Sequence, residues 1–327
     1  MSKKLKLVLY ALCAMLFALC SSADTQQAGK VFHIGFLDNS TASGNAVALD
    51  AFRQELKKLG WIEGKNITME YRFAEQKQER LLELALDLVR LKVDLIVVTS
   101  AGPALAAKKA TTTIPIVMTS STNPIGTGLV ASLARPEGNV TGLSGLANEL
   151  NSKRLEVLKD AVPKLSRVGL LRTAGGSDRQ LKDLRPATLA LKLKLEEIET
   201  EPDAKGLESA FQTAKQKQVG DSDDRQSPFS RRKKANCRAC RQTPLAGYLS
   251  RKGFVDVGGL MSYGADYDDL YRRAAVYVDK ILRGAKPADL PVQQATKFEF
   301  VVNLKAAKQI GLTIPNRVLE RANQVIK

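Results

Sequence analysis

Short apolar runs alternate with amphipathic stretches along most of this chain. Residues 31–37 and 93–98 are nearly continuous apolar runs, a pattern typical of buried strands. Between them Leu49, Phe52 and Leu56 recur at helical spacing, and Gly60 ends the pattern. The order of these segments predicts a strand, a helix and a further strand.

The same alternation continues to the end of the sequence. Further strands are predicted at 67–73, 114–118, 140–143, 168–171, 196–201 and 298–302. Further helices are predicted at 81–91, after Pro103, after Pro124, and at 152–162, 181–195, 207–217, 271–282, 306–310 and 317–326. Repeated β-α-β order indicates an α/β fold with parallel sheets flanked by helices. Two such series predict two similar lobes.

The N-terminus has the three parts of a secretory signal peptide. Three lysines precede the apolar stretch 7–19, and small residues follow at 21–23. We expect cleavage before Asp24, which makes residues 1–23 a signal peptide and places the protein in the periplasm. An uncleaved anchor, a buried N-terminal helix and lipoprotein anchoring through Cys20 are the alternatives. The apolar stretch is short for a membrane span.

Composition excludes several kinds of chemistry. His33 is the only histidine, which rules out multi-histidine metal sites and disfavours a Ser-His-Asp triad. No phosphate-binding loop or dinucleotide fingerprint is present, and Cys237 and Cys240 lack a second pair. We therefore expect no metal, no cofactor and no enzymatic activity. The net charge of +16 raises the question of nucleic-acid or membrane-surface binding, but lysines interspersed with acids along helices are typical of solvated surfaces, and we expect no nucleic-acid partner.

Polar loops follow four of the predicted strands. They begin after Leu37, Val98, Met118 and Leu171 and are rich in Ser, Thr, Asn and Gly. Ligands of open parallel sheets lie at the carboxyl ends of the strands, where loops meet helix N-termini. The four loops predict a cleft for a small polar ligand. The alternative is that these side chains only cap helices.

Several longer motifs resemble one known family. They are residues 51–67 (with Leu59-Gly60-Trp61-Ile62-Glu63-Gly64-Lys65-Asn66-Ile67), 112–117, 128–136, 138–142, 259–264 and 284–291. Together they are similar to the ABC-transporter substrate-binding proteins, the family that includes bacterial proteins for tryptophan and tyrosine. The resemblance covers nearly all of 31–219 and 253–327.

The resemblance implies a periplasmic-binding-protein-like fold of type I, with two α/β lobes joined by hinge strands. Lobe 1 is expected at 24–147 plus about 260–292, and lobe 2 at 148–259 plus about 293–327. The strand-end loops, together with two residues that the resemblance places in the cleft, give the expected ligand-binding residues Asp38, Asn39, Ser40, Thr99, Ser100, Ala101, Ser120, Ser121, Asn123, Thr173, Tyr263 and Asp266. Asp266 is expected to pair with a ligand amine, and Ser or Thr hydroxyls with its carboxylate.

One segment departs from the family pattern. Residues 220–250 are basic, contain Cys237 and Cys240, and have few aliphatic residues. Relatives have a strand, a helix and a second strand there, and no such pattern is visible in this sequence. A local frameshift that is later restored explains the loss of two core strands. A genuine inserted loop is the alternative.

The function that follows is capture of a small polar ligand and its delivery to an ABC permease. An amino acid or a related carboxylate is the expected ligand, and the protein is expected to be a monomer. A ligand sensor for a membrane receptor and an enzyme on a doubly wound fold are the rival interpretations, since a fold does not fix a function.

Overall fold

The computed structural model describes residues 30–147, 149–172, 179–201, 204–217, 219–222, 247–249, 255–256 and 258–327. The helices described are α1 (Ala46–Lys58), α2 (Leu81–Arg90), α3 (Ala101–Ala110), α4 (Asn151–Ala161), α5 (Arg179–Ala190), α6 (Ala204–Gln216), α7 (Tyr267–Leu282), α8 (Leu304–Gln309) and α9 (Asn316–Leu319). The strands are β1 (Phe32–Asp38), β2 (Ile67–Phe73), β3 (Leu95–Val98), β4 (Ile116–Ser121), β5 (Val140–Ser144), β6 (Arg167–Arg172), β7 (Lys194–Glu199), β8 (Gly220–Ser222), β9 (Gly247–Leu249), β10 (Met261–Ala265), β11 (Gln293–Gln294), β12 (Phe298–Asn303) and β13 (Gln324–Ile326).

The first sheet has the strand order β11-β5-β4-β3-β1-β2, and its pairs are parallel. Successive side chains of a strand point to opposite faces of the sheet, so each strand contributes side chains to two hydrophobic cores. Leu95 and Val97 pack in the core shared with α1 and α7, whereas Ile96 and Val98 pack in the core with α2 and α3. A sheet covered on both faces explains why its strands are continuous apolar runs.

The second sheet has the order β13-β12-β10-β9-β8-β6-β7. Its pairs are parallel except β10 with β12, which is antiparallel. Side chains of α4, α5 and α8 pack on it around Leu155, Leu158 and Phe300. The expected two-lobed α/β architecture with mostly parallel sheets is confirmed. Within the described part of the chain, no helix is long and apolar enough to cross a membrane.

The chain crosses from one sheet to the other at three points. β5 ends in the first sheet and α4 packs on the second. β10 lies in the second sheet, whereas α7, which follows it, packs on the first. β11 then belongs to the first sheet and β12 to the second. The strand Met261–Ala265 thus pairs with strands of the second sheet, although the resemblance led us to expect about 260–292 in lobe 1.

Two predicted helices are wrong. The segment after Pro124 forms turns, because Asn123 and Gly128 have positive φ values of 48° and 70°. The helix predicted at 317–326 stops after one turn, and β13 pairs with β12 instead. Asn323 exchanges two hydrogen bonds with the backbone of Phe300, which aligns the last residues as an edge strand.

The secondary structure of the segment 220–250 also differs from the sequence prediction. The pattern there indicated no strand, but the structure has two three-residue strands, β8 and β9, in the middle of the second sheet. They bridge β6 and β10, so the sheet is continuous at backbone level. Residues 223–246, which include Cys237 and Cys240, lie outside the described residues.

Candidate functional site

A hydrogen-bonded network joins the carboxyl ends of three neighbouring strands of the first sheet. Thr99 donates its hydroxyl to Asp38 Oδ1 at 2.7 Å, and the Ser120 hydroxyl donates to the carbonyl of Thr99 at 3.2 Å. Asp38, Thr99 and Ser120 are all buried. The bonds show directly that the ends of β1, β3 and β4 lie side by side, as parallel pairing requires.

The Asp38 carboxylate is the most strongly bound group of this network. Its Oδ1 also accepts from the Ser40 backbone N–H at 2.9 Å, and its Oδ2 accepts from the Ser40 hydroxyl at 2.7 Å. A carboxylate oxygen has two lone pairs, so Oδ2 retains one position for a further donor. Asp38 is therefore held rigidly while one acceptor position stays open.

Three side chains next to this network carry buried polar atoms that have no hydrogen-bond partner among the described residues. They are Asn39 Oδ1, Ser121 Oγ and Asn123 Nδ2. The Asn123 amide is oriented by its other end, because Oδ1 accepts from the Gly126 backbone N–H at 3.1 Å. Buried polar atoms are normally paired, so these atoms are candidates for contact with a ligand.

The side chains at the starts of the helices after two of these loops do not act as helix caps. Asn45 and Ser100 occupy the N-cap positions of α1 and α3, but neither side chain makes a capping hydrogen bond. Asn45 instead donates to the Tyr271 hydroxyl at 2.8 Å. At Ser100 and Ala101 the positive end of α3 faces the strand-end edge without a side-chain cap, which favours an anionic group there.

Three crossovers between the lobes lie next to this edge. The first, described at residues 145–147 and 149–150, begins where Gly145 N–H donates to the Ser121 carbonyl. It is tied to the third crossover by Ala295 N–H, which donates to the Ser144 carbonyl at 2.8 Å. The second and third are tied by Asp266 N–H, which donates to the Lys297 carbonyl at 3.0 Å. The hinge is therefore a hydrogen-bonded unit rather than three separate linkers.

One buried cation connects the first crossover with the second. Arg154 in α4 is 3% exposed. Its Nη1 donates to the Ala147 carbonyl at 2.7 Å and to Asn151 Oδ1 at 2.8 Å, and its Nε donates to the Tyr263 carbonyl at 2.9 Å. The sequence prediction included neither Arg154 nor Asn151. The available signal was a charged residue on the apolar face of α4, beside Leu155 and Leu158.

Two further hydrogen bonds hold the loop through which the chain returns to the first sheet. The Tyr277 hydroxyl donates to the Pro291 carbonyl, and the Thr141 hydroxyl donates to the Leu290 carbonyl at 2.6 Å. Burial raises the pKa of Tyr277 to about 12, so its phenol stays a neutral donor at physiological pH. These bonds hold the loop before β11, and with it the third crossover, against lobe 1.

Tyr263 and Asp266, the two residues that the resemblance places in the cleft, lie near the hinge. The Tyr263 ring is half-buried and stacks on Phe298, with ring centroids 6.2 Å apart. Asp266 caps α7, where its Oδ1 accepts from the Asp269 N–H at 2.9 Å. Within the described residues its Oδ2 accepts no hydrogen bond. Thr173 lies outside the described residues.

Comparison with known proteins agrees with this architecture. The profile of the ABC transporter substrate binding protein family matches residues 42–326. This chain belongs to that family. The resemblance seen in the sequence motifs is thereby confirmed.

Relatives of this ABC-type substrate-binding protein include proteins with stated ligands. A tyrosine-binding protein of Clostridioides difficile is 27% identical over 81% of this chain and 76% of its own length. An ABC domain from Streptococcus pneumoniae, solved in complex with L-Trp, is 26% identical with a TM-score of 0.82, covering 91% of this chain and 100% of its own. A conserved domain protein from Vibrio cholerae is 28% identical with the same TM-score, covering 90% and 100%.

Proposed function

We propose that this protein is the extracytoplasmic substrate-binding component of an ABC importer and captures an aromatic amino acid between its lobes. The observation that carries the proposal is the set of buried polar atoms at the strand ends, on Asn39, Ser121 and Asn123, that have no hydrogen-bond partner in the described part of the chain. Their chemistry suits a zwitterion, because it includes both acceptors and donors. The relatives that bind tyrosine and L-Trp support the choice of ligand class.

Each end of an amino acid has complementary groups in the first lobe. Asp38 Oδ2 and Asn39 Oδ1 are acceptors for the ammonium group. Asn123 Nδ2, the Ser121 hydroxyl and the N-terminus of α3 at Ala101 are donors for the carboxylate. Charge-assisted hydrogen bonds of this kind are stronger than neutral ones, so they define the orientation of the ligand.

Transport requires a partner and a location outside the cytoplasm. We propose that the ligand-bound, closed monomer docks on an ABC permease and releases its ligand when the lobes open. Residues 1–23, which lie outside the described residues, act in this proposal as the signal peptide for export to the periplasm. The protein itself performs no catalysis.

Ligand titration tests this function directly. We expect the full mature chain to bind L-tyrosine or L-tryptophan with a stoichiometry of one and a Kd of about 1 μM or less, equivalent to about 8 kcal/mol. L-aspartate and D-ribose serve as control ligands in the same calorimetric experiment. Absence of heat and of a thermal shift with both aromatic amino acids would contradict the proposal.

Asp266 is proposed as a second partner of the ligand ammonium, through Oδ2. Replacing Asp266 with asparagine keeps an N-cap acceptor for Asp269 N–H and removes the charge. We expect affinity for L-tyrosine to fall about tenfold, or about 1.4 kcal/mol, while the melting temperature is nearly unchanged. Asp266→Ala serves as the comparison, since it also removes the cap and costs about 1 kcal/mol of stability. Equal affinity of Asp266→Asn and the wild type would show that the carboxylate only caps α7.

A further inference from the structure

The side-chain amide of Asn151 is oriented but only half satisfied. Asn151 is the first residue of α4, immediately after the first crossover, and is 4% exposed. Its Oδ1 accepts from Arg154 Nη1 at 2.8 Å. A guanidinium can only donate, so this bond fixes which end of the amide carries the oxygen. The Nδ2 group has no hydrogen-bond partner among the described residues.

The surroundings of this amide favour an anionic acceptor. Asn151 lies at the N-terminus of an 11-residue helix, where the backbone dipoles create a positive potential. The preceding N-cap residue, Leu150, offers no side-chain acceptor to the first turn. A buried amide donor in such a position is expected to find a partner, and a carboxylate matches both the donor and the dipole.

The position of Asn151 relates it to the strand-end edge of the first lobe. The crossover that delivers it starts at Gly145, whose N–H donates to the carbonyl of Ser121. Ser121 also carries a buried hydroxyl that has no hydrogen-bond partner within the described ranges. Arg154 then holds Asn151, Ala147 and Tyr263 in one arrangement across two crossovers. Asn151 is thus held at the start of the second lobe, next to the crossover that leaves the strand-end edge of the first lobe.

We propose that Asn151 is a carboxylate-binding residue of the second lobe and that Arg154 positions its amide. The inference rests on the proposed function, because it requires an amino-acid ligand. The first lobe binds the ligand carboxylate through Asn123 and α3, and Asn151 Nδ2 donates to the same carboxylate when the lobes close. The ligand thereby interacts more favourably with the closed form than with the open form, which is the condition for ligand-driven closure.

Asn151→Asp is the decisive variant. Aspartate has nearly the same shape and retains an acceptor for Arg154, but it replaces the Nδ2 donor with a negatively charged oxygen. We expect affinity for L-tyrosine and L-tryptophan to fall at least about 30-fold, whereas the melting temperature of the ligand-free protein stays equal or rises, because Arg154 gains an ionic partner. The matched control is Asn303→Asp.

Asn303 suits this control because it is also a buried asparagine at a helix start. It caps α8 through Oδ1, which accepts from Ala306 N–H at 3.0 Å, and its Nδ2 donates to the Val255 carbonyl. It lies in the second lobe and takes no part in the proposed site. Its aspartate variant is expected to bind both amino acids within about twofold of the wild type.

A ligand without a carboxylate gives the second measurement. L-Tyrosine methyl ester keeps the ring and the amine but removes the negative charge. Wild-type protein is expected to bind the ester at least about tenfold more weakly than L-tyrosine, and Asn151→Asp is expected to bind the ester as well as the wild type does. A larger loss for the ester than for L-tyrosine in the variant would overturn the inference.

The outcomes separate this inference from the proposed function. If the wild type binds either amino acid and Asn151→Asp binds it equally well, the role of Asn151 is refuted and the proposed function stands. If the wild type binds neither amino acid, the proposed function fails, and the inference fails with it because it needs a carboxylate ligand.

Discussion

Replacing Gly142 with alanine is expected to prevent stable folding of the first lobe. Gly142 lies in β5 opposite Met118 of β4 and has a φ of +124°. A Cβ atom there would lie 2.3 Å from the Met118 carbonyl oxygen and 2.6 Å from its nitrogen. Both are backbone atoms in the centre of a sheet, so neither can rotate away. We expect a loss of more than about 4 kcal/mol in unfolding free energy.

Thermal unfolding followed by circular dichroism measures this effect, together with the yield of soluble protein. Gly60→Ala is the control, because Gly60 also has a positive φ, +94°, but has nothing within 4 Å of a Cβ position. That variant isolates backbone strain and is expected to cost about 1–2 kcal/mol. A melting temperature of Gly142→Ala equal to that of Gly60→Ala would show that the sheet relaxes around the added methyl group.

Replacing Arg154 with methionine is expected to destabilise the hinge. Methionine fills a similar volume but donates no hydrogen bond, so the carbonyls of Ala147 and Tyr263 and the Oδ1 of Asn151 each lose a donor in a buried environment. Unsatisfied buried acceptors are costly, and we expect about 3 kcal/mol of lost stability. Affinity for L-tyrosine should fall about tenfold as well, because the Asn151 amide is no longer held.

Urea unfolding and calorimetric titration measure the two effects of Arg154→Met. Arg154→Lys keeps the charge and is expected to recover only part of the stability, since an ammonium lacks the planar fork that reaches two carbonyls. Arg72→Met is the surface control. Arg72 pairs with Asp87 and Glu70 at partly exposed positions, where ion pairs contribute less than about 1 kcal/mol. Equal stability of Arg154→Met and Arg72→Met would contradict the hinge role.

The strands and helices of the first lobe could be predicted because their sequence patterns are strong. β2 was predicted with its observed bounds, and α1, α2 and β3 within two or three residues, since each buries one or two apolar faces. The end of the chain was predicted incorrectly because its sequence pattern does not distinguish a helix from a strand. Residues 317–326 have an apolar pattern compatible with a helix, and pairing with the edge of the second sheet decided the outcome.

In the segment 220–250, too, strand pairing rather than the sequence pattern decided the structure. Its composition gave no strand pattern, yet β8 and β9 occupy the gap between β6 and β10. Two parallel neighbours provide hydrogen-bond partners for a short backbone stretch, whatever its side chains. The frameshift interpretation of this segment stays a prediction. Translating the gene in the other frames tests it, and the absence of a strand-helix-strand pattern in all of them would refute it.

For the candidate site, the sequence by itself predicted that polar side chains lie together at one edge of the first sheet. Polar residues directly after buried parallel strands must gather at one edge of the sheet, because parallel strands share a direction. Only the tertiary structure decided which of these residues are fixed by several internal hydrogen bonds, as Asp38 is, and which keep a buried atom with no partner among the described residues, as Asn39 and Ser121 do. It also brought Asn151 and Arg154 to the hinge, since hydrogen bonds between segments over 100 residues apart leave no periodic pattern in the sequence.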